Sequence, residues 1–141
     1  MLDTACATSL TSSEGHFSPS IEANLKKLLN QLPSYDHVIL INHFPLFNND
    51  HARKALKRRE ALQAVLRMSP QLKLYLHGHS HRHCIADLRA DHLPIILDAG
   101  STAHTGKGSW NLIEITPQEC IIDTFHWKKE WQKGDRKVLT W

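Results

Sequence analysis

The chain has 141 residues, 41% of them hydrophobic, which suits one compact domain and is too apolar for a disordered segment. Its 17 Lys and Arg nearly balance its 14 Asp and Glu, and the net charge of +3 is too small to argue for nucleic acid. The three cysteines, Cys6, Cys84 and Cys120, lie far apart with no C-x-x-C pair, which argues against a disulfide framework and for a reducing, cytoplasmic compartment.

Residues 1–17 are small and polar, with Leu2-Asp3-Thr4 readable as the end of a strand. Ser18-Pro19 reads as the N-cap and first position of a helix. Ile21, Leu25, Leu28, Leu29 and Leu32 then recur at helical period, until Pro33 removes a donor and ends the helix. Val38–Ile41 is an unbroken run of β-branched and aliphatic residues, which suits a strand covered on both faces and ends at Asn42-His43-Phe44-Pro45. The next helix is expected over 51–68, with Ala52, Ala55, Leu56, Leu62, Val65 and Leu66 inward and the Lys57-Arg58-Arg59-Glu60 cluster on a solvated face.

Leu72–Leu76 reads as a second buried strand that runs directly into His77-Gly78-His79-Ser80-His81-Arg82-His83. Strand-like segments follow near 83–88, 94–98, 110–115 and 119–125, parted by turn signals at Arg89–Asp91, Gly106–Gly108 and Thr116–Gln118. In the tail, Lys133-Gly134-Asp135 is expected to turn a last hairpin. Trp127, Trp131 and Trp141 there are expected to pack the sheet edge, with a membrane surface or an acidic partner as the other reading. No apolar run approaches the ~20 residues of a membrane span, so only peripheral membrane contact stays open. No linker divides residues 1–141, and the order of elements predicts one α/β layered unit with a mixed sheet.

The 11 histidines are the unusual feature, and the densest group is His77-Gly78-His79-Ser80-His81. Imidazole ligates transition metals through a neutral ring nitrogen, and a glycine lets the backbone turn close to an ion. Residues two apart on an extended segment share a side, so His79 and His81 can reach one metal or two neighbouring ones. His43 also follows a buried strand, and open α/β sheets place ligands at the carboxyl ends of their strands.

With these residues in view, the chain resembles the calcineurin-like metallophosphoesterases. VILINHFPLF matches their strand followed by His-x-Pro, and LYLHGHSHR matches their Gly-His-x-His element. Leu2-Asp3-Thr4 is similar to the family's Leu-Asp-Ser/Thr strand end, and residues 96–103 with the strand from Trp110 to Ile115 are similar to its hairpin region. The resemblance implies a layered α-β-β-α sandwich and a centre of two divalent ions, manganese, iron or zinc. It assigns His43 and His79 to one ion and His81 to the other. Two ions ~3.5–4 Å apart clamp the attacking and leaving oxygens of a phosphoryl displacement and acidify a bound water.

The family's remaining ligands lie in Asp-x-His, Gly-Asp-x-x-Asp and Gly-Asn-His elements, the last also carrying its catalytic histidine, and none of these occurs here. The resemblance therefore implies the C-terminal half of a metal-dependent phosphoester hydrolase, inactive alone, whose first residues fall midway through the fold. The alternatives are a catalytically dead metal-binding or interaction module, and an ordinary α/β binding domain with incidental histidines. The half-fold predicts an unpartnered strand before His43, covered by an N-terminal half or by self-association. Substrate contacts are expected from Arg82, which suits a phosphate or is simply a surface arginine, and from His104. Asn48, Asn49 and Asp50 read as a substrate wall or a turn, and His77 and His83 as groups behind the ligands.

Overall fold

A computed structural model describes residues 1–8, 10–47, 54–104 and 106–141. The elements are β1 (Gly15–His16), α1 (Pro19–Gln31), β2 (Val38–Ile41), β3 (Leu56–Lys57), α2 (Arg59–Arg67), β4 (Leu72–His77), β5 (His83–Asp87), β6 (Ile95–Ala99), β7 (Ser109–Ile115), β8 (Glu119–Trp127) and β9 (Trp131–Thr140). The helix start is set as its sequence implies: Pro19 occupies the first turn and the Ser18 hydroxyl accepts from the Ile21 amide at 3.3 Å. Leu25 and Leu29 are its buried stripe.

The central sheet runs β2-β4-β6-β5, with β2, β4 and β6 parallel and β5 antiparallel at the far edge. Strand alternation sends its side chains to two different cores. Tyr75 and Ile96 join Leu40, Leu72 and the helix residues Leu25, Leu29, Leu62, Val65 and Leu66 on one face. Leu74, Ile95 and Leu97 meet Cys120 and Ile122 of the antiparallel sheet β7-β8-β9 on the other. The layers are thus helix, sheet, sheet. The second helical layer of the expected α-β-β-α sandwich is not formed by the described residues.

Four local expectations are corrected. The helix expected over 51–68 begins only at Arg59, because Arg58 takes a left-handed φ of 59° and Leu56–Lys57 pairs in parallel with Gly15–His16. Residues 51–53 lie outside the described residues. Leu56 is buried as expected, but from a strand, and Arg58 is no solvated residue: its guanidinium donates to the Phe17 carbonyl at 2.8 Å and to Glu22 at 2.7 Å, tying α2 to α1. The Val38–Ile41 strand is covered on one face only. It is the edge of its sheet, and Ile39 and Ile41 are 39% and 44% exposed.

The last hairpin turns at Lys128–Glu130, where the Lys128 amide donates to the Glu130 carbonyl at 3.1 Å, and not at Lys133–Asp135. Gly134 lies inside β9, where a Cβ would stand 2.9 Å from the His126 ring. That close approach, beside a register shift at Asp123–Phe125, uses the glycine that reads as a turn. Trp110 stacks on Phe125 at 4.1 Å and Trp131 meets both Trp110 and Trp127 edge-on, while Trp127 and Trp131 stay 38% and 39% exposed.

Candidate metal centre

Parallel pairing of β2 with β4 sets the site. Ile41 lies opposite Leu76, the Asn42 amide donates to the Leu76 carbonyl at 3.0 Å, and the Gly78 amide donates to the His43 carbonyl at 3.1 Å. The two strand ends therefore release their loops side by side. His43 Nε2 and His79 Nδ1 stand 2.9 Å apart, with ring centroids 4.8 Å apart and nearly perpendicular. Two nitrogens each about 2.0–2.1 Å from one ion are themselves roughly 2.9–3.4 Å apart for angles between square and tetrahedral. The pair fits two positions on one shared ion. His81 is exposed and does not join them. Among the described residues, no group of three or more His, Cys, Asp or Glu is arranged to hold a metal ion.

The glycine of the motif is not where the backbone turns most sharply. Gly78 keeps an ordinary φ, and a Cβ there would meet open space. The left-handed positions are instead His79 at φ 65° and His81 at φ 53°. The Ser80 amide donates back to the Gly78 carbonyl at 2.7 Å, closing a γ-turn over His79. Positive-φ γ-turns are rare and strained, and such strain collects at functional sites.

Behind the imidazoles is a buried polar scaffold that no local sequence signal reveals. Asn42 Oδ1 accepts from the His43 amide at 2.8 Å and from the Thr4 hydroxyl at 2.7 Å, while its Nδ2 donates to the Tyr75 hydroxyl at 2.8 Å. Tyr75 in turn donates to the Phe44 carbonyl at 2.7 Å, and burial pushes its phenol well above the usual range. Asp98, 1% exposed, accepts from the Ser80 hydroxyl and from the Gly100 amide at 2.9 Å. His77 Nδ1 lies 3.5 Å from Asp98. Burial holds the His77 imidazole below its ordinary range, against the opposing pull of the Gly78 carbonyl and the Asp98 charge. Asp98 was within reach of the sequence: it is an acidic residue next to the end of the strand in ILDAG, beside the histidine motif in a parallel sheet.

The other expected contacts separate. Arg82 lines a cavity of about 720 Å³ on the helical side of the sheet, with His77, Ser80 and Asp98 at its polar end and Leu46, Leu93 and Ile96 among its apolar walls. His83 lines the same cavity, and its Nε2 meets Asn111 Oδ1 at 2.8 Å. His104 is exposed beyond β6 and shares a shallow cleft with Trp127 and Trp131, apart from His43 and His79. Asn48, Asn49 and Asp50 lie outside the described residues. A second groove, about 430 Å³, runs from Asp3 and Thr4 past Asn42 and His43 to Gly78.

No protein-family model matches the chain, and no curated protein sequence does. Among solved structures it is similar to a dimetal phosphatase from Danio rerio, with a TM-score of 0.60 and 16% identity over 89% of this chain and 39% of that one. It also matches Vps29 from Entamoeba histolytica complexed with zinc, with a TM-score of 0.43 and 22% identity over 58% of this chain and 47% of that one. Vps29 from Cryptosporidium parvum gives a TM-score of 0.45 and 12% identity over 60% of this chain and 46% of that one. The chain thus spans less than half the length of each of these structures. At this identity the likeness to the phosphatase is one of fold, and the fold is metallophosphoesterase-like.

Proposed function

We propose that the chain is the C-terminal part of a binuclear-metal phosphoester hydrolase, with His43 and His79 on one divalent ion and His81 on its neighbour. The observation that carries this reading is the 2.9 Å approach of His43 Nε2 to His79 Nδ1 at the tips of two adjacent parallel strands. Two motifs 36 residues apart converge on one point, in a fold shared with a dimetal phosphatase. Bound ions, manganese, iron or zinc, would polarise a phosphoryl oxygen and lower the pKa of a bound water from about 15.7 toward ~7. This chain's own contribution is to hold two imidazoles in register and to offer Arg82 to the phosphate ester from the rim of the adjoining cavity.

On this reading the carboxylate ligands and the catalytic histidine come from an N-terminal half, and the chain alone turns over little or no substrate. The exposed Ile39 and Ile41 on edge strand β2 support a missing neighbour on that side, either that half or a second copy of the chain. The near-balanced charge gives no argument for a nucleic-acid partner, and the scattered cysteines support a reducing, cytoplasmic compartment, with a membrane surface as a further peripheral contact. Among the described residues no helix is long and apolar enough to cross a membrane.

A second reading, a catalytically dead metal-binding or interaction module, draws on the lack of a three-donor group among the described residues. Three measurements bear on the readings. Cobalt titration of the purified chain is expected to show binding that His43→Ala removes, and its absence would end both metal readings. The coding sequence upstream of Met1 is expected to contain in-frame Asp-x-His, Gly-Asp-x-x-Asp and Gly-Asn-His elements; stop codons there would favour the module. Turnover of bis(p-nitrophenyl) phosphate by the chain alone with manganese, abolished by His79→Ala, would contradict inactivity of the isolated chain.

A further inference from the structure

We propose that Asp98 is a positioning residue for the His43–His79 pair, acting through the hydroxyl of Ser80 to lock the turn that carries His79. The argument starts from backbone strain. His79 and His81 both occupy left-handed φ, which costs free energy for residues with a Cβ and persists only where the surroundings dictate it. Gly78, between the strand and this turn, does not fix it by packing, since beyond its chain neighbours no atom stands within 4 Å of where its Cβ would be. Something outside the turn must therefore hold it.

Two backbone hydrogen bonds act on its first half: Gly78 N–H to the His43 carbonyl, and Ser80 N–H to the Gly78 carbonyl. The second of these lies within the turn itself and anchors it to nothing. The Ser80 hydroxyl adds an anchor beyond the Gly78–His43 bond and the contact of the His79 ring with His43. Ser80 sits between the two left-handed histidines, and its side chain reaches down to Asp98 Oδ2 on the neighbouring strand. Asp98 is suited to this by place and chemistry. It lies on β6, which is paired on both sides, and is 1% exposed. Its other oxygen is held by the Gly100 amide at 2.9 Å. A buried carboxylate is an obligate acceptor whose hydrogen bonds are stronger than those of a neutral group, so it grips a hydroxyl that could otherwise rotate to water.

The inference stands on the turn geometry; only its second measurement rests on the metal reading above. In the metal-free protein, hydrogen–deuterium exchange at the Gly78 and Ser80 amides is expected to speed at least tenfold in Ser80→Ala and in Asp98→Asn. Ser80→Thr, which restores a hydroxyl, is expected to return it to the wild-type rate. The same two variants are expected to weaken cobalt binding by about 10–100-fold, the usual effect of losing a group that orients a ligand. Wild-type exchange in Ser80→Ala, or failure of Ser80→Thr to rescue it, would overturn the role of Asp98. If Asp98→Asn unfolds the buried strand, the Ser80 pair decides alone. If the wild-type chain binds no cobalt, the metal reading fails while the exchange comparison still decides this one.

Discussion

The Tyr75 hydroxyl donates to the Phe44 carbonyl at 2.7 Å while receiving the Asn42 amide group at 2.8 Å. One phenol on β4 thereby satisfies polar groups on both sides of His43. Tyr75→Phe keeps the ring in its core and leaves the Phe44 carbonyl and the Asn42 Nδ2 without this partner. A buried group left unsatisfied costs about 1–3 kcal/mol. Chemical denaturation is expected to show a loss in that range, with the denaturant slope unchanged. A loss below about 0.5 kcal/mol would mean that the loop around His43 does not depend on the tyrosine.

Tyr75 also sets an alkaline limit. Burial raises its pKa above the ordinary value of 10.0, so the folded chain keeps the neutral phenol while the unfolded chain ionises above pH ~10. Below that value both states hold the proton and the group has no pH effect. Above it the native state binds more protons than the unfolded state, so stability falls as pH rises, by about 1.4 kcal/mol per unit for this one site. In Tyr35→Phe, where Tyr75 is the sole tyrosine, the phenolate absorbance is expected to appear only together with loss of near-ultraviolet circular dichroism. A phenolate signal in the still-folded protein would show that the hydroxyl is not enclosed.

Gly15 is the contact point between the short parallel pair and the loop after His43. A Cβ there would lie 2.4 Å from the Phe44 ring, which is itself buried and packs edge-on against His43. Gly15→Ala must displace that ring, and overpacking of this kind typically costs about 1–3 kcal/mol. The expected outcome is a lower thermal midpoint together with altered imidazole resonances of His43 and His79. Unchanged imidazole resonances would show that Phe44 yields without moving them.

What was legible in the sequence follows from how local each signal is. The first helix could be read because its cap, stripe and stop all lie within 16 residues, Ser18 to Pro33. The strands before His43 and His79 could be read because apolar runs bounded by turn residues have few other uses. The order β2-β4-β6-β5 could not, since register and neighbours are set by packing that no local window contains. Tyr75 hid within an apolar run because only its partners reveal its hydroxyl. Gly134 and Gly78 misled for one reason: a glycine permits a turn without requiring one, and here a close contact at His126 and strain at His79 took the roles those glycines suggested.

The open edge gives a prediction about association. Ile39 and Ile41 are exposed on β2, the terminal strand of its sheet among the described residues, where the Leu2 amide reaches the Ile41 carbonyl at 2.7 Å. Burying a side chain of this size stabilises by about 1.5–3 kcal/mol, so two of them favour pairing with another edge. Light scattering is expected to show a mass that grows with concentration for the wild-type chain. The double variant Ile39→Lys/Ile41→Lys is expected to stay monomeric at the same concentrations. A wild-type monomer throughout would count against a neighbour on this edge.

The metal proposal makes an asymmetric prediction for the three histidines. His43 and His79 face one another at 2.9 Å, so each removes half of the pair, and His43→Ala and His79→Ala are expected to weaken cobalt binding to the isolated chain to a similar degree, at least tenfold. His81 stands apart and exposed, so His81→Ala is expected to leave that first ion nearly unaffected and to matter only when the second ion's other ligands are supplied. Equal losses from all three variants in the isolated chain would mean that the turn closes over one ion in solution, bringing His81 to the same metal. A loss from His81→Ala alone would overturn the assignment of the pair, because a single exposed imidazole would then outweigh two that already converge.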